Sequence, residues 1–194
     1  MTQSISAATW AISILAWTVI RYPHQRRARR QKVVKNQLDY EERILLGGAT
    51  FGLFLIPIFY LTTGFPSFAD YPFRSAMGWA GSATMALFLF VFFQSHQNLG
   101  RNFSVTLEIR ATHTLVVDGI YRHVRHPMYT SFWLWAIGQA LLFPNWIVGG
   151  AGLLAVAFLY FRRIRREEQM MQETFGDEYA AYSKRTARLI PWVY

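Results

Sequence analysis

Four long stretches of the chain contain no Asp, Glu, Lys, Arg or His: Met1–Ile20, Ile44–Ala69, Ser75–Ser95 and Met128–Phe161. A membrane-spanning helix needs about 20 mainly apolar residues, because an unsatisfied backbone group in hydrocarbon costs several kcal/mol. The first three runs each suit one such helix. The fourth would be about 51 Å long as a single helix, well beyond a hydrocarbon core of about 30 Å. Pro144-Asn145 interrupts it near the middle, and proline removes a helical donor and restricts the residue before it. Two antiparallel helices are therefore predicted, Tyr129–Phe143 and Trp146–Phe161. Each is short, so a tilted or partly re-entrant hairpin stays open beside a full double span over 129–161. The pattern predicts an all-α polytopic membrane protein with about five transmembrane helices, forming a single integral membrane domain over residues 1–194.

Composition supports this. Charged residues make up 16% of the chain, where soluble domains carry about a quarter. Cysteine is absent, which excludes disulfides, thiolate zinc sites, iron–sulfur clusters and a Cys nucleophile.

The 20 Lys and Arg are distributed unevenly. Eight lie in Arg21–Arg43, four between Ser95 and Pro127, seven from Arg162 onward, and Arg74 is alone in the remaining loop. With five spans, all but Arg74 fall on one side, which the positive-inside rule makes cytoplasmic. The N-terminus is then outside and the C-terminus cytoplasmic. A cleaved signal peptide does not fit Met1–Ile20, since the basic residues follow the apolar run. The cluster from Arg26 to Lys35 reads as topology signal and headgroup attraction, so no nucleic acid partner is expected.

Polar side chains capable of chemistry gather in two segments after the third span: Gly100–Tyr129 and Arg162–Tyr194. They contain no HExxH, no ligand spacing for a metal and no G-x-S-x-G. No G-x-G-x-x-G follows a strand, so a soluble-type dinucleotide fold is missing as well. In Arg125-His126-Pro127-Met128-Tyr129 the proline suits the first turn of the fourth membrane helix and pushes His126 extended. His126 is thereby presented beside a helix N-terminus, a place that favours anionic groups. Arg163 and Glu167 stand four apart and share a helix face. They read either as a solvated pair or as an arginine for a substrate carboxylate beside an acid for a cationic cofactor. Phe175-Gly176-Asp177 reads as a glycine stop and a new helix start. Tyr179 and Tyr182 share a face that packs the tail on the loop.

At these residues the chain resembles a known family. His113-Thr114-Leu115-Val116, Gly119-x-Tyr121 and Arg125-His126-Pro127-x-Tyr129 look like the isoprenylcysteine carboxyl methyltransferases. Arg163, Glu167-Glu168 and Phe175-Gly176-x-Glu178-Tyr179-x-x-Tyr182 continue the match. The resemblance covers about residues 95–190 and is to the smaller, prokaryotic type. It implies an integral enzyme of a prokaryotic cell membrane that uses S-adenosylmethionine, with S-adenosylhomocysteine as product, to methylate the carboxylate of a lipophilic small molecule or prenylated peptide. The catalytic portion would be residues 95–194. The resemblance also implies that His113, Thr114, Leu115, Val116, Tyr121, His126, Pro127, Met128, Tyr129 and Glu167 hold the cofactor and that Arg163 contacts the substrate carboxylate as the catalytic residue. Glu108, an acid in the same loop, is added as a partner for ribose hydroxyls. Partners are then the acceptor and the lipid bilayer, with no metal. Three other readings compete: a phospholipid amine N-methyltransferase, an NADPH-dependent membrane reductase of the sterol type, and a non-enzymatic membrane scaffold.

Overall fold

A computed structural model describes residues 1–28, 33–36, 39–100, 108–110 and 114–192, the backbone alone at 33–36 and 108–110. Its elements are helix α1 (Gln3–Ala28), strand β1 (Val33–Asn36), helix α2 (Tyr40–Thr50), a π-helical turn (Phe51–Leu55), helix α3 (Ile56–Thr63), helix α4 (Ser75–Leu99), strand β2 (Glu108–Arg110), helix α5 (Pro127–Leu142) and helix α6 (Trp146–Arg185). The architecture is helical, as the charge-free runs require. One departure is the antiparallel β1–β2 ribbon, which pairs Val33 with Arg110 and Asn36 with Glu108.

Among the described residues four helices are long and apolar enough to cross a membrane: Gln3–Ala28, the continuous Tyr40–Thr63, Ser75–Leu99 and Trp146–Arg185. The expected fifth, α5, has 16 residues and is about 24 Å long at 1.5 Å per residue, less than the hydrocarbon thickness. The hairpin is present, but its two arms are unequal. The second arm does not stop at Phe161. It runs unbroken past Arg162 and turns only at Gly176, whose φ of 51° departs from the helix. The charged residues after Phe161 are good helix formers, so the change from apolar to polar marks an exit from hydrocarbon and not a helix end. The run Ile44–Ala69 likewise starts its helix earlier, at Tyr40, and ends at Thr63, where Gly64 adopts φ 72° as a left-handed cap.

Asn145 caps α6 by accepting from the Ile147 and Val148 amides, both at 3.0 Å. Its amide donates to the Pro66 carbonyl (2.7 Å) and to Asp70 (2.6 Å), and Tyr60 donates to that same carboxylate. The hairpin turn is thus fastened to the α3–α4 connection.

An aromatic core sits between α5, α4 and the π-helical turn. Trp135 is fully buried, with Phe54 and Phe88 rings at 4.8 and 4.9 Å. Gly52, in the π turn, lets α6 approach closely: a β-carbon there would lie 2.7 Å from the Ala151 carbonyl. The buried Gln139 amide donates to the Gly52 (3.0 Å) and Val148 (2.8 Å) carbonyls, tying three helices together. Small residues and polar side-chain bonds of this kind hold helices together where water offers no drive to associate.

Candidate active site

The site is built where α5 begins and α6 leaves the apolar zone. Pro127 occupies the first helical position of α5, and His126 caps it with φ −126° and ψ 59°. Proline at that position wastes no hydrogen bond. It also forces the residue ahead out of the helix, which aims the His126 ring toward α6.

Glu167 and Glu168 are consecutive on α6, so their side chains diverge by about 100° around the helix. The His126 ring bridges them: Nδ1 is 3.7 Å from Glu167 and Nε2 is 3.3 Å from Glu168. The Tyr129 hydroxyl donates to Glu167 at 2.8 Å. On its other side Glu168 pairs with Arg125 (3.1 Å) and Arg188 (2.8 Å). The tail is laid against the loop by backbone bonds, Arg125 N–H to the Ala187 carbonyl (2.8 Å) and His126 N–H to the Arg188 carbonyl (3.1 Å). Thr130 adds a hydroxyl bond to the Leu189 carbonyl at 2.7 Å, and Arg125 also donates to the Thr186 carbonyl. The Tyr182 hydroxyl donates to the Tyr121 carbonyl at 2.6 Å. The tyrosine face of the tail thus packs on the loop as its spacing predicts.

These contacts set the ionisation states. Burial works against ionised Glu167, but the hydrogen bond and charge of His126, the charge of Arg163 and the Tyr129 hydroxyl outweigh it and hold the carboxyl at about 2. Glu168 is likewise opposed by burial and held at about 2 by His126, Arg188 and Arg125. For His126 burial favours the neutral ring, yet the two carboxylates prevail and raise it above its ordinary 6.5. The two carboxylates thus favour the charged form of the His126 ring.

Arg163 lies one turn before Glu167 and contacts a residue that sequence reasoning missed. Its guanidinium is 3.2 Å from Glu42 of α2; the two side chains are 11% and 0% exposed. Arg162 and Arg166 flank this buried pair on the rim, bound at 2.6 Å to Glu41 and Asp39 respectively. Asp39 caps α2 by accepting from the Glu42 amide at 2.8 Å. In the sequence, Glu42 reads only as an acid in a first helical turn. Its role depends on α2 lying against α6.

Of the expected residues, Tyr121, His126, Tyr129, Arg163 and Glu167 converge, Tyr121 through the tail docking. Pro127 is buried beneath them as scaffold. Thr114 is exposed, and Leu115 and Val116 are half-buried on the stretch leading into the turn that carries Tyr121. Met128 packs against the apolar core, one helical step away from the face that carries Tyr129. The Glu108 side chain and His113 lie outside the described residues. Arg125 and Arg188 join the site without having been expected there. Among the described residues no cluster of three or more metal-ligating side chains occurs.

Fold and site together define a helical bundle of the membrane type with a charged, tail-roofed site at one end. Residues 83–173 match the sequence model of the isoprenylcysteine carboxyl methyltransferase (ICMT) family, the family that the motifs resemble. Protein-S-isoprenylcysteine O-methyltransferase of Schizosaccharomyces pombe is 36% identical over 96 residues, covering 48% of this chain and 41% of that one. The Homo sapiens enzyme of the same name is also 36% identical, covering 48% and 34%. Arabidopsis thaliana protein-S-isoprenylcysteine O-methyltransferase B is 33% identical, covering 48% and 49%. The chain thus spans half or less of the length of these relatives. The solved structure of the eukaryotic intramembrane Ras methyltransferase ICMT superposes with a TM-score of 0.51 at 24% identity, covering 82% of this chain and 55% of that one. That likeness is one of fold.

Proposed function

We propose that the chain is an S-adenosylmethionine-dependent methyltransferase that esterifies the carboxylate of a lipophilic, isoprenylcysteine-like acceptor. In this reading residues 95–194 form the catalytic portion, and the site faces the cytosol with the N-terminus outside. The observation that carries it is the ionised Glu167 carboxylate, held between His126 and Tyr129 beside the charge of Arg163, where α6 leaves the apolar zone.

The residues fit such a cofactor. It carries a sulfonium, an ammonium and a carboxylate, and the site offers ionised Glu167 and Glu168 for the cations and Arg125 and Arg188 for the anion. Tyr121 and Tyr129 border the same region. When bound, the cofactor supplies an electrophilic methyl group on sulfur.

The chain's own contribution is orientation and exclusion of water. An acceptor carboxylate, with an ordinary pKa near 3.5, is already ionised at neutral pH and needs no base. Alignment alone can supply on the order of 7–11 kcal/mol. Arg163 presents a fork shaped for a carboxylate, and Glu42 fixes that fork from behind. The tail, locked by Arg188–Glu168 and by the backbone bonds to Arg125 and His126, roofs the site. Glu168, held at about 2, is a poor general base at neutral pH, because a useful base has a pKa near the working pH. This disfavours an amine acceptor, which must lose a proton before attack.

The test is calorimetric titration of the detergent-purified chain with S-adenosylhomocysteine. The wild type is expected to bind, and Glu167→Ala to weaken binding at least tenfold, about 1.4 kcal/mol. No heat from the wild type would remove the proposal. Transfer activity that climbs steeply between pH 6 and 8 would point to the amine instead.

A further inference from the structure

At the end of the bundle opposite the His126–Glu167 site, a groove of about 550 Å³ opens between the start of α4 and the α5–α6 turn. Its volume lies in the range of small-molecule sites, roughly 300–1,000 Å³. Met77, Ile137, Leu141, Trp146 and Leu153 give it apolar walls, and Arg74 is the single charged residue on its lining. The other polar groups there are already engaged. The Asn145 side chain caps α6 and binds Pro66 and Asp70, and the Tyr71 hydroxyl lies 3.3 Å from the Phe143 carbonyl. Arg74 is exposed and enters no ion pair among the described residues. The nearby acid, Asp70, is taken by Tyr60 and Asn145. Tyr71 and Trp146 meet beside it with ring centroids 4.8 Å apart and planes tilted by 44°, residue types enriched where bilayer meets water.

An apolar trough with one unpaired guanidinium at headgroup level is complementary to an acyl chain ending in a phosphate. We infer that this groove is a binding site for one anionic glycerophospholipid, its acyl chain between α4, α5 and α6 and its phosphate on Arg74. A zwitterionic lipid offers the same chain, but its ammonium offsets the phosphate. The headgroup charge is therefore what Arg74 discriminates. Gly150 lies on the lining, and a β-carbon there would meet nothing within 4 Å. A side chain added at Gly150 therefore fills the groove without displacing the fold. On α6 the lining residue Leu153 stands about 21 Å along the helix from Glu167, and the groove shares no lining residue with that site.

The experiment is native mass spectrometry of the full chain in detergent with phosphatidylglycerol or phosphatidylcholine of identical acyl chains. The wild type should retain one phosphatidylglycerol with a preference of about fivefold, or about 1 kcal/mol. Arg74→Ala should bring the two lipids to parity, and Gly150→Phe should reduce retention of both. Binding of S-adenosylhomocysteine should stay unchanged in each variant, which separates failure here from failure of the methyltransferase reading. Equal retention of both lipids by the wild type would overturn the headgroup assignment. Undiminished phosphatidylglycerol in Gly150→Phe would place the lipid elsewhere and overturn the groove.

Discussion

The two ends of the helical bundle are held together by opposite means. At the α5–α6 turn, Asn145 connects the chain through two amides of α6, the Pro66 carbonyl and one carboxylate, Asp70, that Tyr60 also binds. At the other end, Arg125, His126 and Arg188 converge on Glu167 and Glu168, and Arg163 faces Glu42. A network built mainly of neutral donors and acceptors costs little to bury once satisfied. A network of charges is expensive to desolvate, and its members can exchange partners when a charged ligand arrives. Rigidity has been placed at one end and adjustable charge at the other, with the aromatic core around Trp135 between them.

Variants at the two ends should therefore fail differently. The largest expected effect is on turnover: Arg163→Ala should lower methyl transfer about 10²–10³-fold, as loss of a charged positioning group does in other enzymes. S-adenosylhomocysteine affinity should change much less, because Arg163 is assigned to the acceptor. Equal loss of both would mean that Arg163 serves the cofactor. Next in size, Asn145→Ala should cost about 2–3 kcal/mol, combining a helix cap with buried hydrogen bonds. In thermal unfolding this is a drop of about 5–10 °C, with binding at the far end preserved in the folded fraction.

The charged end should respond to pH through Glu167, Glu168 and His126. Glu167 and Glu168 are held at about 2, below their ordinary 4.5. Their contribution to stability is present above about 4.5 and is lost as pH falls toward 2. His126 is raised above 6.5, so its contribution is complete below 6.5 and is lost as pH rises through the raised value. Stability in detergent should therefore peak between about pH 4.5 and 6.5, and His126→Gln should abolish the decline on the alkaline side. An unchanged alkaline decline in that variant would show that the histidinium bridge contributes nothing. The smallest effect belongs to the rim. Arg162 and Glu41 are 57% and 39% exposed, and Glu41→Gln should stay within about 0–1 kcal/mol. A rim variant as harmful as Glu42→Gln would erase the distinction between the buried pair and the exposed ones.

What could be read from the chain follows physical range. The His126-Pro127 start, the Pro144-Asn145 turn, the Arg163/Glu167 face and the Gly176 stop are local, each set by proline chemistry, capping or helical spacing within a few residues. Met128 was assigned to the cofactor with its neighbours, but adjacent helical residues point about 100° apart. With Tyr129 facing Glu167, Met128 faces the core. The charge-free run leaves open whether α5 is a full span, because freedom from charge measures hydrophobicity and not helix length; the structure gives α5 16 residues.

Glu42 and Arg188 were illegible for a different reason. Glu42 meets Arg163 at a sequence separation of 121, the same as the Arg162–Glu41 bond, and no periodicity reaches that far. The sequence alone determined that the chain must bury its backbone as helices in an apolar medium and where each helix turns, since these follow from charge-free length and local chain chemistry. Only the packing of α2, α6 and the tail decided which charges confront one another. Burying a charge is tolerable only opposite a partner, and which partner is available is a property of the assembled bundle.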